Sequence, residues 1–433
     1  MDSKTDIEKG HLELSVSAPA PTQSGLTARW SLRKTCVLAL VTWAAFQYFM
    51  REPAYPIPSD LSLRDCVSRW DEFSDSAATA HFTFGVPQET LLLVSKGAYS
   101  SGNLRISATE DRDDTAEVKV IVRYRDQERR DAAKVCLIER GEGELGVGLF
   151  TSQMGREFPN RRNRLEFDVE LVLPRSAFVK TLETDVGNFG HDVQSLENLG
   201  HLSLKGSNGA ISTGAISASE ASLSTSNGVI ATERVMASSI VLRSSNGAIS
   251  GILSATESID VSTSNGRVDL SLVLEGKDDD VVKNLSVKTS NSDVMANVTL
   301  STASAQGGCF TLLTQTSNGR LDTRILSAPL DSTLKIEART SNNAASLALP
   351  AAYEGSFSVA TSNGPATVHR VEGRERDPRC VVAGGDCEPR ERQVKITAPR
   401  KGQAAGTVYW DEGNASRGEV TLKTSNANAD IYI

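Results

Sequence analysis

The chain has few of the residues on which most enzymes and nucleic-acid-binding proteins depend. Its 433 residues include only five His and six Cys, which leaves little material for metal or nucleophile chemistry. Lys and Arg number 46 against 54 Asp and Glu, a net charge of −8, whereas phosphate binding needs a basic surface. Aromatic residues are only 5% of the chain, which argues against an ordinary aromatic-filled core. We therefore expect no metal, no cofactor and no nucleic-acid partner.

Long apolar runs are also scarce, and the clearest one lies near the N-terminus, at residues 36–50. Counted from Trp30, the helix would be 21 residues long, enough to cross a hydrocarbon core of about 30 Å. Three cations precede the run and one follows it: Arg29, Arg33, Lys34 and then Arg51. This asymmetry places the N-terminus in the cytosol. A buried soluble helix and a cleaved signal peptide are the alternatives to an uncleaved anchor.

These features predict a single-pass type II membrane protein of the plasma membrane or the secretory pathway, held by one helix over 29–51. Residues 1–28 are polar and mixed in charge, as in a disordered cytosolic tail. Residues 52–79 contain Pro53, Pro56 and Pro58 and are predicted to form a stem. Residues 80–177 contain short alternating segments, such as AEVKVIVRYR, that are typical of a β-sheet with one buried face.

The segment 178–433 contains an internal repeat. From residue 203 to 278 the chain repeats every 19 residues around a Ser-Asn-Gly motif, and looser copies follow at longer intervals. The asparagines of the motif are Asn208, Asn227, Asn246, Asn265, Asn291, Asn318, Asn342, Asn363 and Asn426. A degenerate copy around Val186 opens the series. Self-similarity at a fixed period is the signature of a stacked array.

The period selects the kind of array. Nineteen residues are too few for a propeller blade, and no helical stripe is present. The predicted fold is all-β, a parallel β-solenoid of 19- to 27-residue coils, preceded by the β-sheet region and one transmembrane helix. Residues 201–300 contain no Phe, Trp, Tyr, Pro or Cys, which suits a narrow interior. A meander of Asn-Gly hairpins is the alternative.

Stacking gives the motif a physical role. Asn and Gly tolerate left-handed backbone, so Asn-Gly is expected to turn each corner of the coil. Asparagine side chains in register can also form hydrogen bonds along a stack. We predict that these asparagines are structural turn residues.

The residues LSTSNGVIATE and VSTSNGRVDLS resemble the adhesin-like family of β-strand repeat proteins (DUF4097-like), most of all its membrane-anchored fungal branch. The resemblance extends over 80–433 and includes YEGSFSVATSNG, GTVYWDEG and the terminal VTLKTSNA. It implies a solenoid and an adhesin-like role, and it implies no catalytic residues. Intervals of 21 to 27 residues after Asn265 depart from the regular pattern and predict projecting loops, with an insertion at about 369–407.

No catalytic motif is present, and we expect no catalytic residue. A polysaccharide hydrolase or lyase is the enzymatic alternative, but it needs two carboxylates in one groove. No two acidic residues share a column of adjacent repeats. The acidic run 277–280 reads as a solvated loop rather than a calcium site, and His191 and His201 as surface or capping residues.

Several residues fit an extracytoplasmic location. Cys380 and Cys387 could close a small disulfide, and Cys66 could pair with Cys136 and leave Cys309 free. Sequons for glycosylation begin at Asn284, Asn297 and Asn414.

The sequence thus predicts a non-catalytic ectodomain for surface contact or structural roles. Glycans or neighbouring surface proteins are the expected partners, and a secretory-pathway scaffold is the further alternative.

Overall fold

The structure is a computed structural model that describes residues 55–110, 114–153, 164–276, 281–370, 377–382 and 390–433. The predicted tail at 1–28 and anchor at 29–51 lie outside these residues. Within them, no helix has both the length and the apolar character needed to cross a membrane.

The predicted all-β class is confirmed for the described residues, whose strands form one large open sheet. The first strands are β1 (Ser62–Cys66), β2 (Asp71–Ser74), β3 (Ala77–Gly85), β4 (Thr90–Lys96), β5 (Ser100–Thr109), β6 (Thr115–Arg123), β7 (Lys134–Gly141), β8 (Glu144–Phe150) and β9 (Leu165–Pro174). The middle strands are β10 (Val179–Val186), β11 (Phe189–Val193), β12 (Leu196–Lys205), β13 (Ile211–Ser224), β14 (Ile230–Arg243), β15 (Ile249–Ser262), β16 (Val268–Gly276), β17 (Val282–Lys288), β18 (Val294–Thr302), β19 (Cys309–Gln315) and β20 (Leu321–Ser327). The last strands are β21 (Thr333–Arg339), β22 (Ala345–Ala348), β23 (Gly355–Ala360), β24 (Ala366–His369), β25 (Gln393–Arg400), β26 (Gln403–Tyr409), β27 (Gly418–Lys423) and β28 (Ala429–Tyr432). Two short helices, α1 (Gln127–Ala132) and α2 (Pro378–Val382), and a 3₁₀ turn at Glu412–Asn414 complete the regular structure.

Successive repeats pair in parallel, one coil above the next. In β13 and β14, Ile211 lies opposite Ile230 and Leu223 opposite Leu242, an offset of 19 residues that equals the sequence period. The same offset places Ile249 opposite Val268 in the next pair of coils. The Asn-Gly corners therefore join stacked coils, and the hairpin alternative is wrong for these repeats because hairpins would pair in antiparallel.

Each coil contributes to two runs of strands, one on either side of its asparagine corner. The pre-corner run contains β4, β10 and β12, the second halves of β13, β14 and β15, and then β17, β19 and β21. The post-corner run contains β5 and β11, the first halves of β13, β14 and β15, and then β16, β18, β20 and β22. The core lies between the two runs.

Columns of identical or similar apolar residues fill this interior. Ile211, Ile230, Ile249 and Val268 form one column, and none of them is exposed. A second column runs through Ile216, Val235, Leu253 and Leu272, with a register shift between Val235 and Leu253. The register shifts there because Gly251 adopts a φ of 139°.

The stack begins earlier than residue 178, where the sequence suggested a boundary. β4 and β5 stack in parallel on β10 and β11, and β8 and β9 stack in parallel on β4 and β5. Two coils of the predicted 80–177 region thus belong to the same array. The predicted stem at 52–79 is also partly sheet, because β1 and β2 pair in antiparallel with β7 and β3.

The last coil in sequence is not the last coil in space. β27 lies between β21 and β23, and β28 lies between β22 and β24. Residues 418–433 therefore fill a slot between coils 333–348 and 355–369. The insertion predicted at 369–407 is not all loop, because β25 and β26 form an antiparallel hairpin that pairs with β23. Antiparallel strands thus end the pre-corner run at both ends of the stack.

Candidate functional site

An exposed row of asparagine side chains follows the corners along the stack. Each amide Nδ2 donates to the Oδ1 of the neighbouring coil's asparagine at 2.6–2.7 Å. In spatial order the row is Asn188, Asn208, Asn227, Asn246, Asn265, Asn291, Asn318, Asn342, Asn426 and Asn363. We call this row the asparagine ladder. It contains all nine predicted asparagines and one more, Asn188, in the degenerate copy.

A threonine or serine two residues before eight of the ten ladder asparagines fastens the corners together; Val186 and Gly206 take that position before Asn188 and Asn208. The Thr225 hydroxyl accepts the N–H of Gly228 at 3.2 Å and donates to the carbonyl oxygen of Gly209 at 3.1 Å. Thr263, one of its equivalents, bonds Gly266 and Gly247 in the same way. Sequence reasoning missed this role, although the recurrence of Thr in T-S-N-G was the signal that could have revealed it.

The glycine after the asparagine serves a purpose other than the predicted one. None of the described corner asparagines or glycines has a positive φ, so left-handed backbone does not turn the corner. A Cβ on Gly247 would instead clash with the carbonyl oxygen of Gly228 in the coil below. Where Ser292 replaces glycine, its hydroxyl donates to the Asn265 carbonyl oxygen at 2.7 Å. Close approach between coils therefore explains the glycine.

The two histidines at the start of the repeats lie in different surroundings. His201 is half-buried, with Nδ1 3.3 Å from a carboxylate oxygen of Glu220, which agrees with a surface residue. His191 is only 2% exposed, so its prediction as a surface or capping residue is wrong. Its Nε2 lies 2.8 Å from the Thr184 hydroxyl, and burial lowers the pKa of the imidazole to about 4. His191 faces inward because it shares its column with Leu104 and Ile211.

A buried carboxylate that sequence reasoning missed, that of Glu354, fastens the C-terminal insertion. Glu354 is 5% exposed. Its oxygens accept hydrogen bonds from the backbone N–H groups of Trp410 and Asp411 and from the side chains of Asn414 and Arg379, at 2.8–3.1 Å. Four donors compensate the cost of burying this charge. Glu354 thus joins three segments beside the slot of the last coil.

The predicted modification sites differ in accessibility. Asn284 is exposed on β17, and Asn297 is half-buried on β18. Asn414 is also half-buried, and its amide donates to Glu354 at 2.9 Å. Cys66 and Cys136 form a disulfide between β1 and β7, and Cys309 is free. Cys380 is disulfide-bonded, and its predicted partner Cys387 lies outside the described residues.

The enzymatic alternative needs two carboxylates that face each other from adjacent coils. In the registers of the described strands, no carboxylate lies directly opposite another carboxylate. Within the same part of the chain, no three His, Cys, Asp or Glu side chains gather into a metal-binding group. The acidic run at 277–280 lies outside the described residues.

Comparison with known proteins gives one partial family match. The family described as "Domain of unknown function (DUF7330)" matches residues 240–371, less than a third of the chain. No curated protein matches this chain. The DUF4097-like and fungal assignments stay predictions.

Several solved structures align over much of the chain at low similarity. A "putative cell adhesion protein" from Clostridium sporogenes is 9% identical, with a TM-score of 0.18, and covers 82% of this chain and 99% of its own. A "putative adhesin" from Bacteroides fragilis is 11% identical, with a TM-score of 0.26, and covers 60% and 97%. One from Parabacteroides distasonis is 12% identical, with a TM-score of 0.27, and covers 59% and 93%. These scores are too low to establish a shared fold, so the names describe those proteins alone.

Proposed function

We propose that the chain is a non-catalytic membrane protein whose β-solenoid ectodomain makes adhesive or structural contacts at the cell periphery. The asparagine ladder is the observation that carries this proposal. Ten exposed amides stand in one row at the strand spacing of about 4.8 Å, on a backbone that parallel pairing holds rigid. A row of equivalent groups suits many weak contacts with one long partner, and such contacts gain strength from multivalency.

The type II topology is part of the same proposal. The apolar segment within 29–51 and the cations before it support a cytosolic N-terminus and an external stack. The Cys66–Cys136 disulfide fits an oxidising compartment. The repeated T-S-N-G motif supports a place in the DUF4097-like, membrane-anchored fungal branch.

A retention assay tests the contact function. Full-length chain, purified in mild detergent, is passed over insoluble cell-wall polysaccharides, both neutral and acidic, with soluble polysaccharide as competitor. We expect retention that the competitor removes. Absence of retention on every polymer would refute the glycan-contact function.

Protease protection tests the topology. In microsomes that contain the full-length chain, antibodies against the ectodomain should detect a protected fragment, shortened after glycosidase treatment. A fragment digested from the cytosolic side would refute the type II arrangement.

A further inference from the structure

Basic side chains line the asparagine ladder along part of its length. In six consecutive coils, each corner has one cation either three residues before its asparagine or two residues after it. In spatial order these cations are Arg243, Arg267, Lys288, Arg320, Arg339 and Lys423, beside Asn246, Asn265, Asn291, Asn318, Asn342 and Asn426. We call this set the basic flank.

The cations of the basic flank change sides from coil to coil. Arg243, Lys288 and Arg339 lie on the pre-corner side, where Ser262 and Gln315 occupy the coils between them. In those intermediate coils the cation lies on the post-corner side instead, as Arg267 and Arg320. Five successive coils therefore alternate strictly, and Lys423 then extends the pre-corner side. Along the stack, one charge follows another at about 4.8 Å.

These cations are accessible from solvent. Arg243, Arg267 and Arg339 have side chains 63%, 53% and 46% exposed. Each lies 3.1–3.2 Å from one carboxylate, those of Asp260, Asp269 and Glu337 respectively. Exposed pairs of this kind are worth little, so an incoming anion can replace them.

The other three cations of the basic flank have fewer acidic side chains nearby that would compete with an anionic ligand. Lys288, Arg320 and Lys423 are exposed and form no ion pair within the described part of the chain. One acid, Asp293, lies between Arg267 and Arg320 on the post-corner side, and its Oδ1 accepts the backbone N–H of Arg320 at 2.8 Å. Asp293 belongs to the coil whose cation, Lys288, lies on the pre-corner side. Its negative charge on the post-corner side therefore adds to the alternation of charge between the two sides.

The ladder itself retains hydrogen-bonding capacity toward a ligand. A primary amide has two N–H donors and an oxygen with two lone pairs. Within the ladder, each interior asparagine uses one donor and accepts one bond, as Asn265 does between Asn246 and Asn291. One donor and one lone pair in each coil remain for hydroxyl groups that lie along the row.

We infer that the basic flank and the ladder bind a linear acidic polysaccharide of the β-1,4-linked type, one sugar residue per coil. In such a ribbon, consecutive rings are turned by half a revolution, so their carboxylates point to alternate sides. A pyranose unit is close in length to the spacing between coils. The alternating cations then face successive carboxylates, while the amides contact ring hydroxyls. This assignment rests on the proposed function and specifies its ligand.

Oligosaccharides of equal charge and different geometry test the inference. Isothermal titration calorimetry with the full-length chain in detergent would compare β-1,4-linked hexamannuronate, α-1,4-linked hexagalacturonate, whose chain turns by about a third of a revolution at each ring, and neutral cellohexaose. We expect hexamannuronate to bind at least about tenfold more tightly than either of the others. Equal binding of the two uronates would overturn the inference, because charge alone would then explain the contact.

Variants test the flank directly. The double variant Arg267→Ala, Arg320→Ala introduces alanine at two post-corner positions. Three other coils already have alanine at the equivalent position, as Ala210, Ala248 and Ala344. This double variant should bind hexamannuronate roughly tenfold more weakly, with a shallower dependence on salt. A matched control, Arg234→Ser with Lys335→Ser, removes two exposed cations away from the ladder and should bind normally. Circular dichroism would verify that both variants are folded.

The outcomes separate this inference from the proposed function. If the flank variant binds like the parent, the basic flank is not the site. If hexamannuronate fails to bind while neutral wall polysaccharide still retains the chain, the inference is wrong and the contact function stands. If neither binds, both are wrong.

Discussion

Acidification from pH 7 to pH 4 should destabilise the folded chain through one imidazole, that of His191. The side chain is 2% exposed between the columns of Leu104 and Ile211, and its Nε2 is bonded to Thr184. Its other ring nitrogen, Nδ1, is buried and has no hydrogen-bond partner in the described structure. A second proton would therefore place a charge in the interior without a counter-ion.

The magnitude follows from the pKa in the two states. Burial lowers the pKa of His191 from its ordinary value near 6.5 to about 4 in the folded chain. Between these values the unfolded chain binds a proton that the folded chain does not, so stability falls as the pH falls. The loss is about 1.4 kcal/mol per pH unit, or about 3 kcal/mol over the whole interval. Above pH 6.5 the imidazole is neutral in both states, and its contribution no longer changes with pH.

Urea unfolding at several pH values between 4 and 7.5, followed by tryptophan fluorescence, measures this effect. His191→Leu is the informative variant because Leu104 already occupies the same column one coil away. The difference in unfolding free energy between parent and variant should shift in favour of the variant by about 3 kcal/mol on going from pH 7 to pH 4. Carboxylates such as Glu144, whose pKa Arg140 lowers by hydrogen bonding, contribute equally to both proteins.

The control is His201→Gln, which removes a half-exposed imidazole from the same part of the stack. Introduced into this variant, His191→Leu should still produce the shift of about 3 kcal/mol between pH 7 and pH 4. Parallel stability curves for the parent and His191→Leu between pH 4 and pH 7 would refute the reasoning, since the imidazole would then be protonated equally in both states.

Three further experiments, with five substitutions, test the packing of the stack. Thr232→Val should stabilise the chain by about 1 kcal/mol in thermal unfolding, because the Thr232 hydroxyl is buried without a partner, whereas Thr225→Val should destabilise it by a similar amount. Gly247→Ala should cost about 1–3 kcal/mol in urea unfolding, because its Cβ meets the coil below; a variant as stable as the parent would contradict that close approach. Glu354→Gln should cost about 2–4 kcal/mol and expose residues 410–417 to limited proteolysis, while Glu337→Gln on the surface should do neither.

The repeat made most of the central stack predictable. A period of 19 and the columns that contain Ile211 and Leu223 determine the parallel register, because similar residues lie above one another only at that offset. The register shift at Gly251 is a local backbone event, and the sequence showed it only as an irregular unit. The inward position of His191 could also have been predicted from the sequence, because the other residues of its column are apolar.

The ends of the stack were less predictable because their pairing is not sequential. The motif at Asn426 follows the one at Asn363 in the chain, and nothing in its residues shows that it bonds Asn342. Glu354 was missed for a related reason. Its four donors come from segments 25 to 60 residues away, and the sequence does not show such distant partners.

The position of the last coil has a consequence for biosynthesis. Residues 418–433 follow both of their neighbouring coils in the chain, yet they complete the hydrogen bonding of β21, β22, β23 and β24. Until these residues are translated, strand edges stay open on both sides of an empty slot, and such edges pair readily with other chains. The coils on either side of the slot are therefore exposed to aggregation for as long as synthesis of 418–433 is pending.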